Sequence, residues 1–105
     1  MEKLPRSVTK FANEYPEVWL AFNQLGDRCH QAGSLDEKAR RLVKIGLAVG
    51  AGLEGATHSA VRNAVDAGIT ADEIRHVVIL SITTLGFPEA IRAMTWVEDC
   101  FSRKE

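Results

Sequence analysis

Apolar residues return every third or fourth position along nearly the whole chain, a helical period without the alternation of a strand ladder. Val18, Phe22, Leu25 and Cys29 fall at i, i+4, i+7 and i+11, one face of a helix. Pro16 suits the first turn of that helix, where a missing N–H costs nothing. The stretch PRSVTKFANEY ahead of it reads as a short separate helix, with Pro16 forcing the break. Gly33 is expected to close the longer helix.

The next helix opens on SLDE. Ser34 as N-cap and Glu37 three residues on form a capping box on this reading, satisfying two backbone donors reciprocally. Its apolar positions run Leu35, Ala39, Leu42, Gly46 and Val49. Gly46 and Gly50 lie one turn apart, and a helical glycine costs up to about 1 kcal/mol relative to alanine. Close approach of another helix is the expected return. Gly52 and Gly55 mark a break. Glu54, His58, Val61 and Val65 then repeat the i, i+4, i+7, i+11 stripe, which turns His58 toward the core.

That helix ends at Gly68, and Thr70 to Glu73 supplies a second capping box. The following helix, IRHVVILSITTL, is apolar on most of its circumference and needs cover on several sides. Gly86 stops it and Pro88 starts the last helix, striped by Ile91, Met94, Val97 and Phe101. The expectation is an all-α protein of five or six helices, one domain over residues 1–105.

Composition narrows the function. Of the 105 residues 46% are apolar and 26% charged, with a formal net charge of −1. That balance suits a globular protein and offers no pull on phosphate backbones, so nucleic acid is not an expected partner. The longest apolar run, VVILSI, is far below the roughly 18 residues of a membrane helix, and MEKLPRSVTKF lacks the apolar core of a secretory signal. No membrane association is expected, and the cytoplasm is the expected location. Cys29 and Cys100 form no CxxC and read as reduced, buried small hydrophobes.

The chemistry centres on Glu54 and His58, one turn apart on one helix face. A carboxylate there can orient an imidazole and favour its charged form, the arrangement of a general acid or base with its partner. The competing reading is a structural histidine in the core. Arg62 lies one turn beyond His58, and Arg40, Arg41 and Lys44 lie on the preceding helix. His76 is expected on a solvated face. His30 sits at a helix end where a cation suits the dipole. The three histidines lack metal-ligand spacing, so neither a metal nor another cofactor is expected. Trp19 and Trp96 are expected in the core or at a subunit contact.

Three segments in order, SLDEKARRLVKIGLAVG, THSAVRNAVDAGITADEI and LGFPEAIRAM, resemble the carboxymuconolactone decarboxylase family, which includes the alkylhydroperoxidase D-like proteins. Glu54, His58, Gly68, Thr70, Glu73, Ile74 and Pro88 stand in the family's places, from about Leu35 to Val97. The resemblance implies a homotrimer or homohexamer. Peroxidase members carry C-x-x-C-x-x-x-H, and those cysteine positions fall here on Ala51 and Glu54. Without a peroxidatic thiol no thiol peroxidase activity is expected. The decarboxylase branch is similar to E-x-x-x-H, as in Glu54 to His58. It implies a lyase acting by proton transfer on a small carboxylated or lactone substrate, with Glu54 and His58 catalytic and Arg62 at the substrate. A non-catalytic oligomeric binding or scaffold protein of the same fold is the alternative.

Overall fold

The computed structural model describes residues 4–102, so residues 1–3 of the N-terminal stretch read above lie outside the described part. The described chain forms six helices and no strand, in two compact units. The first unit spans residues 4–35 and the second residues 36–102.

In the first unit Pro5 precedes α1 (Arg6–Glu14), and Tyr15 breaks the helix with φ −131° and ψ 63° before α2 (Pro16–Gln31) begins on the expected proline. Ala32 caps α2, so that helix ends before Gly33. Phe11 packs on Tyr15 with ring centroids 5.2 Å apart, and Trp19 stacks on Phe22 at 6.1 Å. Yet neither helix buries a residue. Val18, Phe22 and Leu25, the stripe of α2, are all exposed. Cys29 is exposed for the same reason, which corrects its reading as a buried hydrophobe. Helices of this length draw most of their stability from packing of an apolar face.

The second unit is a four-helix bundle of α3 (Glu37–Ala51), α4 (Glu54–Asp66), α5 (Ala71–Leu85) and α6 (Phe87–Ser102). In it α3 packs on α4 and α5, and α6 packs on the same two helices. The core is built from Ile45, Val49, Val61, Ala64, Ile69, Ile74, Val78, Ala90, Ala93, Val97 and Cys100. Along α6 the buried line is Ala90, Ala93, Val97 and Cys100, whereas Ile91 is 44% exposed. The stripe expected at Ile91, Met94, Val97 and Phe101 is therefore rotated, because the small alanines face the interior and let α6 lie close to its neighbours.

Asp36, not Ser34, caps α3, and its Oδ1 accepts from Ala39 N at 2.8 Å. Glu37 is thereby the first helical residue and pairs with Arg41 at 3.2 Å. The Thr70–Glu73 box at the start of α5 forms in both directions. Gly52 adopts φ +69° between α3 and α4, a conformation only glycine enters without strain. Among the described residues no close helix approach is made at Gly46 or Gly50. A Cβ at Gly46 would only touch Val77, at 3.9 Å, and one at Gly50 would meet nothing within 4 Å.

Across α5 and α6, Arg75 grips Glu98 with Nε at 2.6 Å and Nη2 at 3.0 Å. That guanidinium holds the Glu98 carboxyl below its usual range, and Lys38 chiefly does so for Glu73, aided by the Thr70 backbone. Lowered carboxylate pKa values stabilise the fold above the ordinary value of 4.5, and that stability is lost as pH falls through the folded values. The melting temperature is expected to drop between about pH 5 and pH 3, less steeply in Glu98→Gln. These side chains are partly solvated, so the effect is small and weakens with salt.

Candidate functional site

The connection from α3 to α4 is two residues, Gly52 and Leu53. Leu53 N bonds back to Ala48 O at 3.1 Å, and Gly52 N to Val49 O at 3.0 Å, which ties the turn to the end of α3. Leu53 is extended and gives α4 no side-chain cap. Glu54 begins the helix and is exposed. Thr57 is fully buried, its hydroxyl satisfied by donation to Leu53 O at 2.8 Å.

The buried line of α4 is Thr57, Val61 and Ala64. His58 therefore lies on the flank of that line, about 100° around the helix from Thr57, rather than on the core stripe expected of it. The residue is half-buried, but its Nε2 is sealed from solvent and has no hydrogen-bond partner among the described residues. Among the described residues no hydrogen bond or ion pair joins Glu54 to His58, so the expected orienting bond is not made here. Val65, the last member of the expected stripe, is half-buried.

The cations expected near the site separate clearly. Arg40 and Arg41 are drawn to Glu37, at 3.9 and 3.2 Å. Lys44 is exposed. Arg62 is half-buried, one turn beyond His58. A cation not singled out from the sequence, Arg92 of α6, reaches the α3–α4 turn: a Cβ on Gly52 would lie 3.4 Å from its Nη2. Its Nη2 donates to Glu89 Oε1 at 2.6 Å, and its guanidinium sits 5.2 Å from the centroid of the Trp96 ring. The spacings Glu89–Arg92 and Arg92–Trp96, at i+3 and i+4, were legible as a local ladder. Its meeting with Gly52 was not.

His76 is exposed, as expected, and lines a groove of about 430 Å³ between α3 and α5 with Leu42, Val43, Glu73, Val77 and Leu80. A second apolar groove of about 350 Å³ lies between α1 and α2, lined by Phe11, Val18, Trp19 and Phe22 among others. Neither groove contains Glu54 or His58. Trp96 packs against the bundle core. Cys100 is buried in α6. Among the described residues no three His, Cys, Asp or Glu side chains are grouped to hold a metal ion.

Compared with known proteins, residues 16–99 match the sequence model of the carboxymuconolactone decarboxylase family. No curated protein matches the chain.

Proposed function

Since the chain belongs to the carboxymuconolactone decarboxylase family, we propose that it is a lyase that removes carbon dioxide from a small carboxylated lactone by proton transfer. The observation that carries this reading is the buried, unpartnered Nε2 of His58. A buried polar atom without a partner costs about 1–3 kcal/mol, and a bound substrate is the natural group to satisfy it.

The chemistry needed is modest. Loss of carbon dioxide leaves an electron pair on the carbon that carried the carboxylate, spread into the adjoining unsaturation. That carbon takes one proton, so carboxylate plus proton gives product plus carbon dioxide. His58 as imidazolium delivers the proton and is reprotonated from solvent. Glu54, one turn back, turns toward the ring when substrate arrives, since catalytic hydrogen bonds often tighten only in the complex. Arg62, on the next turn, offers a cation for the carboxylate. Catalysis is tested by following carbon dioxide release from 4-carboxymuconolactone. With peroxide and a dithiol reductant, no turnover above background is expected, because Ala51 and Glu54 occupy the places of the redox cysteines. Turnover that disappears in Cys29→Ser or Cys100→Ser would overturn that expectation.

One observation favours a second reading. The missing Glu54–His58 hydrogen bond suits a binding or scaffold protein that kept the fold without the reaction.

The active form proposed is a homotrimer or homohexamer in the cytoplasm. Leu47 and Leu80 are each 62% exposed, and Val43 and Ile79 are also exposed, so α3 and α5 present apolar surface that another subunit would cover. Sedimentation at micromolar concentration is expected to show no monomer, and a sharply monomeric boundary would contradict the assembly. Among the described residues no helix is long and apolar enough to cross a membrane.

A further inference from the structure

The packing order and the handedness of the helices together fix which side chains share a helix–helix seam with His58. On α3, Gly46 lies about 100° clockwise of the buried Ile45, seen from the N-terminus. A Cβ on Gly46 would point to Val77 of α5, at 3.9 Å. Consequently α4, the other neighbour of α3, lies on the opposite flank. The two-residue turn sends α4 back antiparallel to α3. For a right-handed helix in that position, the flank clockwise of Thr57 faces away from α3 and toward α6. Glu54, His58 and Arg62 lie on that flank.

An independent contact orients α6. Glu98, about 100° clockwise of the buried Val97, meets Arg75 of α5. The opposite flank of α6, carrying Glu89, Arg92 and Trp96, therefore turns toward α4. The approach of Arg92 Nη2 to Gly52, just before α4, agrees with this placement. It also sets the two helices side by side from the same end, with His58 the fifth residue of α4 and Arg92 the sixth of α6. Glu54, His58, Arg62, Glu89, Arg92 and Trp96 are thus on the flanks that α4 and α6 turn toward each other.

We infer that Arg92 binds a substrate carboxylate at this α4–α6 seam, in preference to Arg62. The inference rests on the proton-transfer reading of His58 and names the specificity-determining residue of that same site. Glu89 occupies one donor position of the guanidinium, and the Trp96 ring supports its face. A guanidinium has five N–H donors in a rigid fork, so enough remain to meet a second carboxylate. Among the described residues nothing braces Arg62 in this way.

The test uses benzoate, with benzamide as its uncharged counterpart, titrated into the full-length protein while the His58 ring signals are followed by NMR. Benzoate is expected to move the His58 signals in the wild type. Arg92→Gln is expected to weaken benzoate about 10- to 100-fold, the worth of a charge-assisted hydrogen bond. Benzamide affinity should be the same in both proteins, and Arg92→Lys should recover part of the benzoate binding. Arg92 and Glu89 are each 55% exposed, so the variants should fold, and a thermal melt checks this. Wild-type benzoate affinity in Arg92→Gln, binding lost in Arg62→Gln alone, or no movement of the His58 signals in the wild type each overturns the inference. The two readings fail separately. Arg92-dependent benzoate binding with undiminished catalysis in His58→Met sinks only the proton-transfer role. Loss of catalysis in His58→Met with Arg92-independent binding sinks only the inference.

Discussion

His58→Met is expected to lose carbon dioxide release by about 10²- to 10⁴-fold, the usual contribution of a positioned general acid. The same change should leave the fold as stable as before or more so. In the free protein Nε2 is buried without a partner, and removing such an atom relieves about 1–3 kcal/mol of unmet desolvation. Methionine fills a comparable space with no polar group to satisfy. A histidine kept for structure predicts the reverse, with lost stability and no special effect on turnover. Urea unfolding alongside the activity assay separates the two, because activity and stability move in opposite directions only when the strain serves function.

Ile74→Ala is expected to cost about 2–5 kcal/mol, a large part of the stability of a domain this size. Ile74 is fully buried in α5, within the core that also holds Val61, Val78 and Val97. The informative control is Ile91→Ala on α6. The helical period alone put Ile91 on the buried stripe, whereas the structure leaves it 44% exposed and buries Ala90 and Ala93. A change within about 0.5 kcal/mol is expected at that surface position. Equal losses at Ile74 and Ile91 in denaturant unfolding would mean that α6 is rotated from its place here.

Ile91 shows where the sequence stops being informative. Period and caps place the helices well, because Pro16, Gly52, Gly68, the Thr70–Glu73 box and Gly86 act through local backbone chemistry. The facing of each helix is harder, since alanine counts weakly as apolar yet is what close packing needs on α6. Ser34 and Asp36 are both good cap residues two positions apart, and only the path of the chain chooses Asp36. At the site, the Glu54–His58 spacing was visible in the sequence. The buried, unpartnered Nε2 was not, nor was the approach of Arg92 to the Gly52 turn, because both depend on how the helices pack and not on spacing along one helix. The exposed stripe of α2 and the apolar surface of α3 and α5 are each left uncovered by the described residues of their own unit.

The proton-transfer role of His58 is tested most directly by carbon dioxide release from 4-carboxymuconolactone, measured for the wild type, His58→Met and Glu54→Gln. Release well above the uncatalysed rate in the wild type is predicted, lost in His58→Met and reduced in Glu54→Gln, with all three proteins folded. No release by the wild type, or equal release by wild type and His58→Met, would contradict the account.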